Sequence, residues 1–351
     1  MQTASLYPKK RAALVLGQRA IPIPTADQIQ IRIESAALNP VDWKIPARGF
    51  HVSIYPAVLG SDIAGIVSAI GPDVKNFEVG DRAMCQGGML NPDECAFQQY
   101  MVVSSTIACK IPENISNDEA STVCVASIAA LVSLLMTLLV FHETGLAISP
   151  PFWPGVPSRK RSDMILIMGG STSVGQYCIQ FCVLAGFKRI LTTCSPKNAD
   201  LVKAAGATHV FDRDAEDLNA QIREITGDDL IYAVDSAAAD DTQIQSYTAL
   251  SDTKPGVCAI LLHSVLPGRT RPTKPFGTRQ TWKIDGFANV WTELSEEYFK
   301  VLPEWLENGA VKPMRHQFLP GGLAAIPTGS KVLMDNEVSG AKLVIHPQEG
   351  L

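Results

Sequence analysis

Met164-Ile-Leu-Ile-Met-Gly-Gly-Ser-Thr-Ser-Val-Gly175 is an apolar run that breaks at two glycines and reopens as a helix start. Gly169 and Gly170 let the backbone bend sharply and approach a ligand. Gly175 lets the helix pack closely on the strand. The first N–H groups of such a helix, with the positive end of its dipole, form a ready site for a pyrophosphate. A second apolar strand, Arg189-Ile-Leu-Thr-Thr-Cys194, then runs into Ser195-Pro-Lys197-Asn198. Folds that take NAD put an acidic residue there for the ribose 2′-hydroxyl. A carboxylate would repel a 2′-phosphate, whereas Ser195 and Lys197 would bind one. The two stretches predict NADP(H) rather than NAD(H).

Working outward, the rhythm from about 160 onward is strand, helix, strand, helix. Strands are expected at 164–168, 189–194, 208–211, 230–235 and 257–263, with helices at Asn198–Ala205 and Asp217–Thr226. That alternation predicts a parallel sheet of Rossmann type. The first 120 residues read differently. Gln28–Glu34 alternates polar and apolar at period two, and further short strands are expected at 63–70, 79–85 and 96–103. They predict a small barrel. Leu146–Ser162, Pro-rich and carrying Arg159-Lys160-Arg161, is expected to be an exposed loop. The tail Val338–His346 ends in another strand.

Composition narrows the function. The chain has 351 residues, 46% hydrophobic and 19% charged, with a net charge of −5 and no basic run, so a nucleic-acid role has no support. Its eight cysteines form no CxxC pair, which fits reduced thiols in a cytoplasmic protein. The N-terminus has no apolar core of signal-peptide length. Val123–Phe141 is 19 residues without charge. It carries Ser127, Ser133 and Thr137 and lacks aromatic or basic flanks, so a buried helix is expected and not a membrane span.

These features resemble the medium-chain dehydrogenase/reductase superfamily. The residues that carry the likeness are Asn39-Pro-Val-Asp-Trp-Lys44, Leu59-Gly-Ser-Asp-Ile-Ala-Gly-Ile-Val67, Gly71-Pro-Asp-Val74, Val79-Gly-Asp-Arg82, Gly169–Gly175 and Val338-Ser-Gly-Ala-Lys-Leu-Val344. Within it, Thr193–Asn198, Leu201–Ala207 and Val210-Phe-Asp212 look like the trans-acting enoyl reductases of fungal polyketide pathways. The resemblance implies an α/β protein: a GroES-like β-barrel catalytic domain over 1–122, completed by 308–351, and a Rossmann cofactor domain over 123–307, with the active site in the cleft. It implies NADPH/NADP+ contacts at Val41, Asp42, Trp43, Lys44, Ser171, Thr172, Ser173, Val174, Ser195, Pro196, Lys197, Asn198, position 213, Leu262, His263, Val344 and Ile345. The substrate wall would be Cys124, Val125, Ala126, Ser127, Ile128, Ala129, Ala130 and Leu131. The family usually has Tyr where this chain has Arg213, a residue that can meet the 2′-phosphate as a cation. It often has Thr where this chain has Ala129. Zinc-dependent relatives use a Cys near 39 and a His near 61. Here Asn39 and Ser61 stand instead, and only Cys85 and Cys95 occupy the lobe that would hold a four-Cys structural site, so no zinc is expected.

The expected activity is NADPH-dependent reduction of an α,β-unsaturated polyketide thioester, presented by the acyl carrier domain of a polyketide synthase to a monomer or homodimer. Lys44 is the expected catalytic side chain, stabilising the developing enolate. A stand-alone quinone or alkenal reductase is the alternative, and a non-catalytic NADPH-binding protein is the rival of another class.

Overall fold

The computed structural model describes residues 1–89, 91–139, 162–261, 279–284 and 286–350, the side chains of 136–139 and 279–284 excepted. Leu262, His263 and nearly all of the Pro-rich stretch lie outside the described residues. The chain divides into two compact units: Met1–Val125 with Phe287–Leu351, and Ala126–Gly286.

The first unit begins with β1 (Gln2–Tyr7), β2 (Val15–Arg19), β3 (Gln28–Ala37), α1 (Pro40–Arg48), β4 (Ala57–Val58), β5 (Asp62–Ile70), β6 (Arg82–Gln86), β7 (Tyr100–Ser104), β8 (Ala108–Lys110) and α2 (Asn117–Ser121). Helix α3 (Cys124–Leu139) leads into the second unit. That unit holds β9 (Met164–Met168), α4 (Ser173–Leu184), β10 (Arg189–Cys194), α5 (Ala199–Ala205), β11 (His209–Asp212), α6 (Leu218–Thr226), β12 (Tyr232–Asp235), α7 (Asp240–Ala249), β13 (Gly256–Leu261) and β14 (Arg279–Ile284). The chain then returns to the first unit through α8 (Thr292–Glu307), β15 (Arg315–Phe318), α9 (Ile326–Met334) and β16 (Ala341–Ile345).

β3 is the hub of the first unit. Its period-two pattern buries Ile29, Ile31 and Ile33 completely and turns Gln30 and Arg32 outward. It pairs with β5, β7 and β16, so the two ends of the chain meet in one seven-stranded sheet, ordered β15-β16-β3-β5-β6-β8 with β7 also on β3. β1, β2 and β4 form a separate three-stranded sheet. This is the GroES-like architecture expected of the N-terminal part.

The second unit is a six-stranded sheet ordered β11-β10-β9-β12-β13-β14, with every neighbouring pair parallel. Its continuous apolar strands, such as Met164-Ile-Leu-Ile-Met168, are buried along their whole length, as a sheet covered on both faces requires. The strand order reverses between β9 and β12. In open α/β sheets ligands bind outside the carboxyl ends of the strands at that switch. The apolar segment from Val123 forms α3, and no helix among the described residues is long and apolar enough to cross a membrane.

The Pro-Val-Asp-Trp stretch forms the first turn of α1. Asn39 supplies the extended N-cap, Pro40 occupies the first helical position, and Asp42 accepts the Asn39 N–H at 2.6 Å. With only nine residues and Pro46 inside, its apolar periodicity is too brief to announce a helix.

Candidate active site

The nucleotide edge of the second unit is built on the glycine turn. Gly169 has φ +76°, and it donates its N–H to Thr193 Oγ1 at 3.0 Å. Gly170 donates to the Thr193 carbonyl at 2.9 Å. A Cβ on Gly175 would lie 2.3 Å from the Gly169 carbonyl oxygen and 2.8 Å from Gly170 Cα, so the helix can approach the turn this closely only with glycine. Thr172 is the N-cap of α4 and accepts from the Gly175 N–H at 3.0 Å. The N–H groups at the start of α4 lie at the helix end that lacks intrahelical partners. Ser171, Thr172, Ser173 and Val174 are thus gathered at the positive end of a 12-residue helix beside the strand switch.

The neighbouring strand tips extend the same edge. β10 ends at Cys194, and Ser195 opens the short turn Pro196–Asn198. Asn198 Nδ2 donates to Ser195 Oγ at 3.3 Å. Cys194 pairs with Asp212 across β11, and the Arg213 N–H reaches the Cys194 carbonyl at 3.0 Å. Ser195, Lys197 and Arg213 are therefore brought to one sheet edge, with Lys197 and Arg213 exposed. Asp212 is exposed as well, and the Arg213 side chain leans 3.4 Å from the Asp214 carboxylate, so the edge is cationic but not free of acids.

The first unit contributes a buried polar centre. Lys342 Nζ donates to Asn39 Oδ1 at 3.0 Å and pairs with the Asp62 carboxylate, with both charged side chains essentially inaccessible. Asn39 Nδ2 donates to Asp62 Oδ2 at 2.9 Å. The other Asp62 oxygen accepts the Val125 N–H at 2.8 Å, which anchors the first turn of α3. One carboxylate thus joins the α1 N-cap, β16 and the start of the expected substrate wall. Burial pushes the Asp42 carboxyl up to about 7, opposed by the hydrogen bond from Asn39 and increased by the nearby Asp62 charge.

On the next turn of α1, Lys44 is half-buried with its ammonium 5.7 Å from the Trp43 ring centroid. Burial, and then the charge of Arg48, lowers its pKa from the ordinary lysine value. The Trp43 indole N–H is buried and has no hydrogen-bond partner among the described residues. An orphan donor beside a half-buried cation is a surface that a polar ligand would complete.

The sequence-derived candidates therefore fall into three groups. Val41–Lys44 share α1, and Ser171–Val174, Ser195–Asn198 and Arg213 share the nucleotide edge. Val344 and Ile345 are wholly buried in β16, paired with Ala37 and Ala36. Along α3, Cys124, Ala126–Leu131 are buried and Val125 is partly exposed. Sequence reasoning missed the braces: Thr193, Ser236, which donates to the Met168 carbonyl at 2.6 Å and lies 3.0 Å from Thr172 Oγ1, and the Asp62–Lys342 pair. Thr193 lies near the end of buried β10 and Ser236 directly follows β12, and nothing local marks either hydroxyl as a brace. The pair is separated by 280 residues.

Zinc does not fit the first unit's centre. The positions expected to hold it are an amide and a hydroxyl, and the adjacent carboxylate is already neutralised by an ammonium. Among the described residues no group of three or more His, Cys, Asp or Glu is arranged to hold a metal.

Comparison with known proteins agrees with this geometry. Residues 25–113 match the alcohol dehydrogenase GroES-like domain family, and residues 173–261 match the family described as zinc-binding dehydrogenase. A trans-enoyl reductase of Petromyces alliaceus is 30% identical, covering 97% of this chain and 98% of that protein. The enoyl reductase component of the lovastatin nonaketide synthase of Aspergillus terreus is also 30% identical, covering 93% of this chain and 90% of its own length. Among solved structures, a mycobacterial protein complexed with NADPH has the same fold, with a TM-score of 0.76 at 20% identity over 99% of this chain and all of that one. A GroES-like unit, a Rossmann unit in the 3-2-1-4-5-6 strand order and full-length likeness at this level have one explanation: the chain belongs to the medium-chain dehydrogenase/reductase superfamily that includes the fungal trans-enoyl reductases.

Proposed function

We propose that this protein is an NADPH-dependent enoyl reductase that saturates the carbon–carbon double bond of an α,β-unsaturated thioester carried by a polyketide synthase, in the cytoplasm and without zinc. The observation that carries the reading is the full-length likeness to two fungal enoyl reductases, joined to a nucleotide edge that carries Lys197 and Arg213. The glycine turn, the α4 N-terminus, Ser195, Lys197 and Arg213 fit a dinucleotide with a 2′-phosphate. NADPH would supply the hydride for the β-carbon when bound, and the resulting enolate would take a proton from water at its α-carbon. Lys44 donates a hydrogen bond from Nζ to the thioester carbonyl oxygen and stabilises the charge that gathers there. Its lowered pKa suits that role, since a desolvated ammonium gives up a proton more readily. Asp42 sets the α1 N-terminus and through it the direction of Lys44. The buried face of α3 from Cys124 to Leu131 excludes water from the acyl chain.

The test is turnover by the purified chain with NADPH and a but-2-enoyl thioester, following NADPH absorbance and the saturated product by mass spectrometry. Formation of the butanoyl thioester is expected. NADPH consumption with quinones or free alkenals but never with thioesters would assign the stand-alone reductase instead. NADPH binding without turnover of any acceptor would leave a non-catalytic binding protein.

A further inference from the structure

The first 61 residues carry seven Lys or Arg against three Asp or Glu, in a chain whose net charge is −5. The excess is concentrated in space. Arg11 reaches the Arg48 carbonyl at 3.5 Å, and Lys10 lies over Gly49, where an added Cβ would come 2.7 Å from its Cε. Lys9, Lys10, Arg11 and Arg48 are exposed, and none has an acidic partner among the described residues. The three acids of the stretch do not answer them: Asp27 accepts from Ser104, Glu34 pairs with Arg32, and Asp42 is buried beneath the α1 N-cap. The negative end of the α1 dipole, equivalent to about half an elementary charge, cannot neutralise four cations. The repulsion is felt locally, because Arg48 contributes to the lowered pKa of Lys44.

The cluster is also continuous with the expected chemistry. Arg48 lies four residues from Lys44 on α1, on the same helix face and one turn, about 5.4 Å, along the axis. Beside it, Tyr7 holds the Lys9–Arg11 segment by accepting the Arg11 N–H at 2.6 Å, and its ring packs edge-on against Tyr55. Ile54, next to Tyr55, is 70% exposed. A basic rim beside a solvent-facing isoleucine is the complement of an acidic partner with a small apolar contact.

We infer that Lys9, Lys10, Arg11 and Arg48, with Ile54, form the docking surface for the acidic face of an acyl carrier domain, which delivers its thioester arm towards Lys44. This rests on the carrier-bound substrate proposed above. Long-range attraction would act mainly on the rate of encounter, so the surface governs kcat/KM for the carrier-borne substrate and leaves the chemical step alone.

The experiment uses the full chain and its Lys9→Glu/Lys10→Glu/Arg11→Glu variant with NADPH, leaving Arg48 in place because its charge acts on Lys44. Three donors of the same but-2-enoyl group are compared: an excised fungal acyl carrier domain, coenzyme A and N-acetylcysteamine. In low salt the variant should lose at least about tenfold in kcat/KM on the carrier domain, with kcat at saturation and the melting temperature unchanged and the two small thioesters unaffected. The defect should shrink at about 0.5 M NaCl, where the screening length falls to a few ångströms. The neutral Lys9→Gln/Lys10→Gln/Arg11→Gln variant, which has no new repulsion, should show a smaller loss in the same direction. Equal losses on all three donors would overturn the docking role. So would a loss shared by coenzyme A and the carrier but not N-acetylcysteamine, which would make the cluster a reader of phosphate. If the parent protein uses the carrier domain and the variants use it equally well, only the docking surface falls. If the parent reduces the small thioesters and never the carrier-borne one, the carrier reading falls and takes the surface with it.

Discussion

The nucleotide edge and the barrel's polar centre solve opposite electrostatic problems. At the edge, charge is left open: helix N–H groups, Ser195, Lys197 and Arg213 stand at strand tips where an anion can reach them. In the centre, charge is closed off: Asp62 and Lys342 neutralise one another out of water, and every oxygen of Asp62 is engaged. The first arrangement leaves donors and cations available to a ligand. The second holds α1, α3 and β16 together and has no vacancy for a ligand. The contrast teaches that in this family fold a charged residue's burial, more than its identity, separates recognition from scaffolding.

The largest expected effect breaks the closed side. Lys342→Met leaves the Asp62 carboxylate buried without its partner and should destabilise by roughly 3–5 kcal/mol in chemical denaturation. Asp62→Asn in the same chain should recover much of that, because it removes the orphaned charge and keeps an acceptor for the Val125 N–H. If Lys342→Met alone is harmless, the pair is not the scaffold described here.

Lys44 lies between the two regimes, half-buried and unpaired by any acid among the described residues. Lys44→Ala should lower kcat about 100-fold, the scale of a lost electrostatic donor, with little change in melting temperature. A rise in apparent KM for NADPH with kcat intact would make it a cofactor ligand instead.

On the open side, Lys197→Ala should weaken NADPH by about tenfold, one charge-assisted contact, and leave NADH affinity unchanged. The parent protein should prefer NADPH by at least that factor. Equal affinities for the two cofactors, measured by fluorescence titration, would remove the 2′-phosphate reading of this edge.

The last effect, spread over pH, concerns Asp42. Its folded pKa of about 7 lies above the unfolded value of 3.8, so the folded state holds the extra proton between the two. Stability from this group is full below about pH 4 and declines as pH rises towards 7. Asp42→Asn should therefore gain on the parent across that window and hold its advantage above it. A stability difference independent of pH would mean that Asp42 does not titrate there.

Much of the open side was legible in the sequence because it is contiguous. Ten or so residues from Met164 encode strand, turn and helix start, and Ser195–Lys197 follow directly on a strand. Gly175 is legible as a packing glycine, and the structure supplies the reason: an added Cβ would lie 2.3 Å from the Gly169 carbonyl oxygen. α1 is not legible as a helix, because nine residues with an internal proline carry too few periodic positions to reveal one. The bracing roles of Thr193 and Ser236 are not legible, since a buried hydroxyl in or after a strand looks the same whether or not it braces a turn.

The sequence by itself determined the alternation that makes a parallel sheet, the barrel-forming strands before it, and the lack of a carboxylate after β10. These are local properties: periodicity, glycine positions and residue charge act within a few residues. Tertiary structure alone decided that β12 crosses to the far side of β9 and so creates the switch point. It alone seated Lys342 on Asn39 and Asp62, and laid Lys10 and Arg11 against the end of α1. Each depends on distant segments, 303 residues apart for Asn39 and Lys342, meeting in the packed core of their own unit. The free energy that brings them together comes from burying apolar strands such as β3 and β9, and that burial leaves no trace in the spacing of the polar residues it carries along.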